Sequence, residues 1–174
     1  MLFGIFLSFL AYFAGCYFFP GIRLVTVWLF LFGLTVETYI DIRHMIILDE
    51  ILLVILFAGL GYRTACGEGW QEPLTGVVTG ILVTGLIYIV SKGGFGLGDV
   101  KYTGVLGVWL GAPGILVCLA LAFVTSGIAA VLLCVFRKVT LKSKVPFGPF
   151  LSLGAGLSFF YQPQILAWYL SWFL

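Results

Sequence analysis

Residues Leu74–Gly111 read LTGVVTGILVTGLIYIVSKGGFGLGDVKYTGVLGVWLG. How this stretch folds decides the architecture. Leu74–Ser91 is an apolar run of the length a membrane-spanning helix needs, about 20 residues. Gly93–Tyr102 then carries four glycines, one carboxylate and one lysine. After it, Gly98–Gly111 is apolar again but too short to cross a bilayer alone as a regular helix, unless the membrane is locally thinned or one end sits in a water-filled cavity.

Outward from this stretch the same pattern repeats. Leu2–Phe19, Ile22–Ile40, Met45–Tyr62, Pro113–Phe136 and a last run from Gly148 are further candidate spans. The composition agrees: 62% of the 174 residues are hydrophobic and 9% charged, whereas a soluble domain carries about a quarter charged residues. The expectation is all-α: a polytopic transmembrane helix bundle of about six to seven membrane segments, in one unit over residues 1–174. The start, MLFGIFLSFL, has no basic segment before its apolar run, so it reads as a retained helix rather than a signal peptide. In the last run, YQPQ is expected to break or kink the helix at Pro163.

The basic residues set an orientation. If Gly98–Gly111 crosses, Arg43, Lys92, Lys101, Arg137, Lys138, Lys142 and Lys144 share one side, and Arg23 and Arg63 fall in loops on the other. That side and the N-terminus are then cytoplasmic. If the piece does not cross, the bias inverts. In either case Asp41 and Asp99 face the same side, because two crossings separate their loops.

Ionisable residues at the edge of a membrane span are costly and point to function. Two aspartates held around one water share a proton: one acts as base toward the water, and the protonated one polarises a peptide carbonyl. They titrate as a pair. Gly96 and Gly98 would let the backbone lie close to an extended peptide and aim Asp99. A second reading makes Asp99 simply an N-terminal capping residue of the next helix.

Other residues carry paired readings too. Glu37 lies one helical turn before Asp41 and either tunes it, binds a basic peptide or faces a wet cavity. Lys101 either pairs with a carboxylate or snorkels to the interface. Asp49 and Glu50 suit a helix N-terminus and could also bind basic side chains. Pro146, Gly148 and Pro149 read as shape residues, with Pro146 and Gly148 bordering a substrate groove. His44 has no ligand partner in sequence, and Cys16, Cys66, Cys118 and Cys134 form no C-x-x-C pair, so no metal site and no cofactor are expected. The Arg137–Lys144 cluster reads as a topology and lipid contact, with no support for nucleic-acid binding. Trp168, Tyr169 and Trp172 read as an interfacial belt.

GLGD, Gly96–Asp99, resembles the G-x-G-D signature of intramembrane aspartyl proteases. GGFGLGDVKYTGVLGVWLG is similar to the second catalytic motif of type IV prepilin peptidases, YIDIRHMIILDE to their first, and VPFGPFLSLGA to their P-F-G-P-F stretch. The motifs stand in family order between about Val36 and Phe159. The resemblance implies a single integral-membrane aspartyl peptidase domain with Asp41 and Asp99 as the catalytic pair. It implies no cofactor, and it adds a site role for Lys101. It implies cleavage of the short basic leader of prepilin or pseudopilin precursors at the cytoplasmic face of the bacterial inner membrane, with lipids the other partner. Two departures stand out. Leu48 replaces a usual proline, while Asp49 matches the acid after it. A cysteine-rich cytoplasmic insert and a G-S-F-L-N type stretch are missing, FAGCYFFPGIR being a faint echo, which puts N-methylation of the new terminus in doubt. The rivals are a presenilin-like protease cutting within a transmembrane segment and a non-catalytic protein or transporter using the carboxylate pair as an ion site.

Overall fold

The computed structural model describes residues 21–67, 69–92, 94–136 and 146–172. The expected span Leu2–Phe19 and the basic cluster Arg137–Lys144 lie outside them. Among the described residues all regular structure is helical: α1 Ile22–His44, α2 Asp49–Cys66, α3 Gln71–Val90, α4 Leu97–Val135 and α5 Gly148–Leu170. Three of the five, α1, α3 and α4, are long and apolar enough to cross a membrane.

The boundaries follow local chemistry. α1 runs past Ile40 to His44 and stops where Met45 turns into the left-handed region, its N–H bonded to the Asp41 carbonyl. The span expected from Met45 therefore starts later, at Asp49, with Leu48 extended before it and two acids in the first turn, where the helix dipole favours them. The break expected at Pro163 does not occur: α5 is continuous through it. In an apolar bundle, neighbouring helices can hold such a helix together despite its lost backbone bond.

The break lies instead at Gly111, inside α4, at φ 66° and ψ 179°. This conformation is essentially restricted to glycine. It divides α4 into a segment ending at Leu110 and one resuming before Pro113. The first segment packs antiparallel along α3. Thr84 and Thr103 share a hydrogen bond of 2.9 Å, Gly80 faces Thr103, Gly76 meets Gly107 backbone to backbone, and Gly111 reaches Glu72. Gly98–Gly111 thus runs from the glycine loop to the opposite end of α3. The second segment returns along α5, through Ser158 to the Gly114 carbonyl at 2.7 Å and the Phe123–Phe147 ring pair at 5.1 Å.

α1 and α2 form the other hairpin, with Gly33 against Ile55 and Arg23 bonded to the Ala65 carbonyl at 3.0 Å. The hairpins meet at Trp109. Its ring stacks on Phe30 at 4.3 Å and on Tyr62 at 5.3 Å, and its indole N–H donates to the Ile55 carbonyl at 2.9 Å. A Cβ on Gly59 would strike that nitrogen, so the glycine makes room for the tryptophan.

Arg63 is not the loop residue expected from sequence. It lies buried in the last turn of α2, with Nε on the Val108 carbonyl at 3.1 Å and Nη2 on the Trp109 carbonyl at 2.8 Å. The reason is the break. Pro113 has no N–H to return to Trp109, and the turn at Gly111 interrupts the ladder at Val108. Arg63 supplies the missing donors, and its Nη1 reaches Glu72 at 3.3 Å.

Gly111→Ala isolates the cost of this turn, because a Cβ there meets nothing closer than 3.7 Å. The expected loss is about 1–3 kcal/mol of stability from backbone strain alone. Gly127→Ala, at a helical position with open space around it, is expected to be neutral or stabilising. Thermal unfolding of both variants in detergent checks the contrast; equal midpoints would refute it.

Candidate active site

Three helix ends converge at the end of the bundle opposite Arg63. The first is the C-terminal end of α1. Glu37 and Asp41 are four residues apart and so share one face, and both are buried, at 0% and 5% exposure. Charged side chains rarely reach that depth unpartnered. The Glu37 Oε1 accepts the Leu48 N–H at 3.0 Å, while its Oε2 is buried with no hydrogen-bond partner among the described residues.

The second is the start of α5. The Gly148 N–H donates to Asp41 Oδ2 at 2.8 Å. As the first residue of α5, Gly148 has an amide with no partner within its own helix, and a carboxylate is a fitting acceptor. Its lack of a side chain is required: a Cβ there would stand 2.7 Å from the same oxygen.

The third is the start of α4. Gly96 is its N-cap and Asp99 stands in its first turn. The Asp99 carboxylate folds back toward the Gly96 amide, half of a capping box. The capping reading of Asp99 is met in part: the residue stands in the first turn, while the N-cap itself is Gly96. Asp99 is the less buried of the pair.

The remaining expected residues are placed as follows. A Cβ on Gly96 would lie 2.8 Å from Asp99 Oδ2, and one on Gly98 would lie 3.1 Å from the Ile47 Cβ. The first glycine makes room for the Asp99 carboxylate, and the second lets the α1–α2 connection close down on α4. Lys101 and Asp49 pair with each other at 2.8 and 3.0 Å, exposed at the rim, and tie the starts of α2 and α4. Pro146 adjoins Phe147, whose ring meets Phe95 of the glycine loop at 5.2 Å. His44 is exposed. Among the described residues no group of three or more His, Cys, Asp or Glu side chains is placed to hold a metal ion.

Sequence reasoning missed the support behind the site. Tyr102 is fully buried, with its hydroxyl 2.8 Å from Ser152 Oγ, joining α4 to α5. The signal was available: Tyr102 follows Asp99 by one helical turn. Its partner on α5 was not readable.

The model of the type IV leader peptidase family matches residues 28–131, which include Glu37, Asp41, Asp49, Asp99 and Lys101. Three curated proteins named prepilin leader peptidase/N-methyltransferase illustrate the likeness. The protein from Pectobacterium carotovorum subsp. carotovorum is 32% identical over 155 residues, covering 85% of this chain and 54% of that protein. The one from Bacillus subtilis is 29% identical over 165 residues, covering 90% and 64%. The one from Aeromonas hydrophila is 28% identical over 161 residues, covering 89% and 56%. The chain spans about half the length of the first of these relatives and not quite two thirds of the longest match. No solved structure matches.

The rim pair gives a test. Because Lys101 and Asp49 are exposed, Lys101→Met and Asp49→Asn are each expected to cost less than about 1 kcal/mol. Their coupling in a double-mutant cycle is expected to shrink with added salt. Denaturant unfolding at low and high salt measures both.

Proposed function

Because the chain belongs to the type IV leader peptidase family, we propose that it is a membrane aspartyl endopeptidase that removes the short basic leader of prepilin-like precursors. Asp41 and Asp99 are its catalytic pair. The observation that carries the reading is their convergence: residues far apart in sequence stand at one end of the bundle, one buried and one half-buried, Asp41 held by Gly148 and Asp99 next to the glycine on which Ile47 packs.

The chemistry needs only these two side chains and a water. One carboxylate takes a proton from the water as its oxygen bonds to the scissile carbonyl carbon. The other, protonated, donates to the carbonyl oxygen. The tetrahedral adduct then collapses: the C–N bond breaks, the amine leaves with a proton from the pair, and the new carboxyl group forms. The Gly148 amide fixes one Asp41 oxygen, leaving the other for the water. Glu50 and Asp49, exposed at the start of α2, are the acids that a basic leader would meet at the rim.

The site faces the cytoplasm in this reading. Gly98–Gly111 runs the length of α3, which favours the arrangement with seven basic residues on the site's side and Arg23 and Arg63 opposite. That bias makes the site's side cytoplasmic, and the membrane is the inner membrane of a bacterium. With α4 counted as two segments, the described residues make six segments, embedded in lipid. The partners are prepilin or pseudopilin precursors.

Cleavage of a precursor carrying a basic leader before an apolar segment tests this, with purified protein in detergent or liposomes. Asp41→Asn and Asp99→Asn are each expected to lower the rate at least about a hundredfold, the scale of a lost acid or base, while the protein still inserts. Wild-type rates in both would sink the proposal. A cut deep within the apolar segment would favour an intramembrane protease instead. Gly148→Ala is expected to cost about a hundredfold in kcat by displacing the Asp41 carboxylate, with KM little changed. An unchanged kcat would show that the amide contact is dispensable.

A further inference from the structure

The function above leaves one buried acid unexplained. Glu37 is fully enclosed on the face of α1 that carries Asp41. Burying a carboxylate costs several kcal/mol unless it is well paired, yet one of its oxygens has no partner among the described residues. The other is held by a single backbone donor, the Leu48 N–H at 3.0 Å. A chain under selection for stability alone would place an apolar residue here.

The contact leads to the catalytic pair in three short steps. Leu48 is the N-cap of α2, extended at φ −88° and ψ 122°, at the end of the short link that follows the turn at Met45. Its neighbour Ile47 packs on Gly98, so closely that a Cβ on that glycine would lie 3.1 Å from the Ile47 Cβ. Gly98 precedes Asp99 directly. At the other end, Met45 is bonded to the Asp41 carbonyl at 2.9 Å. The link therefore starts at one aspartate and ends against the other, and Glu37 is the side chain that pins it.

We propose, resting on the peptidase reading, that Glu37 is a positioning residue: through the Leu48 N–H it clamps the Met45–Leu48 link onto Gly98 and so sets where Asp99 stands relative to Asp41. Glu37 does not touch substrate in this arrangement. It acts through backbone, by the hydrogen bond that its side-chain oxygen accepts from the Leu48 N–H.

Proline at 48 provides the test, because it deletes the N–H and accepts a φ near the one Leu48 adopts, restraining the link covalently. Four proteins are compared: wild type, Glu37→Ala, Leu48→Pro and the double variant. Glu37→Ala is expected to lower kcat for leader cleavage roughly ten- to a hundredfold, the scale of a lost hydrogen bond to a charged group, with KM nearly unchanged. Leu48→Pro alone strands the buried carboxylate and is expected to fall too. The double variant is expected to recover above both, because the proline holds the link and no carboxylate is left stranded. Glu37→Gln, which keeps a carbonyl acceptor, is expected to retain most of the wild-type kcat, and it serves if the alanine variant does not fold. A double variant no better than the lower single, or a glutamine variant as poor as alanine, overturns the proposal.

Hydrogen exchange reads the same coupling without cleavage. In Glu37→Ala, amides of residues 46–50 and of 97–101 are both expected to exchange faster, and both to recover in the double variant. If only the first group moves, or neither, Glu37 does not position Asp99. Should Asp41→Asn and Asp99→Asn both cleave normally, the reading of the two aspartates as the catalytic pair fails, and the exchange result still decides the role of Glu37.

Discussion

Two carbonyls, those of Val108 and Trp109, lose their helical donors where α4 turns at Gly111. In an apolar interior an unpaired backbone group costs several kcal/mol. Arg63 answers both with one guanidinium, and the rest of the fold depends on that. Because the break is satisfied, α4 can reverse direction at the far end and send its second segment back beside α5. That return places Phe147 against Phe95 and Phe123, and Gly148 against Asp41. A charge buried at one end of the bundle thus determines the geometry of a carboxylate pair at the other.

The site end is held by different means. Its internal bonds run mainly from backbone amides to carboxylates: Gly148 to Asp41 and Leu48 to Glu37. Such bonds are worth about 1.5–3 kcal/mol each, more than the exposed Lys101–Asp49 pair can supply. Among the described residues no cation bonds to Asp41 or Asp99, and the proposed sharing of a proton between them is consistent with that.

The placement of the two aspartates was legible in the sequence. Counting apolar runs puts Asp41 and Asp99 on one face whichever way the short piece is read, and both stand at the same end of the bundle. The uses of the flanking residues were not legible, because they depend on what packs opposite. Gly96 and Gly98 read as room for substrate, while the space is filled by the Asp99 carboxylate and Ile47. Lys101 and Asp49, separately plausible as binding residues, bond to each other. Arg63 read as a loop cation because its hydropathy says so, and only the donors lost at Ala112, turned away by Gly111, and at Pro113 explain its burial. The small-residue spacing of Gly76, Gly80 and Thr84 against Thr103 and Gly107 was a readable sign of close helix packing, and it settles how Gly98–Gly111 lies.

The pair is not symmetric, and the asymmetry suits its task. Asp41 belongs to the end of a helix packed on two sides and is gripped by an amide from a third helix, so its carboxylate is fixed. Asp99 stands in the first turn of α4, less buried and flanked by glycines on one side. Its position is set by the Ile47 contact and by its own fold back to Gly96. A helix terminus has fewer internal bonds than a helix interior, so this turn can shift at small cost, whereas Asp41 cannot move without releasing α5. In the proposed reaction a peptide arriving at the site would displace the Asp99 carboxylate from Gly96, exchanging its capping role for the proposed catalytic one. The fixed acid would then define where the water sits and the adjustable one would close on the carbonyl, so that the site stays stable without substrate and tightens with it.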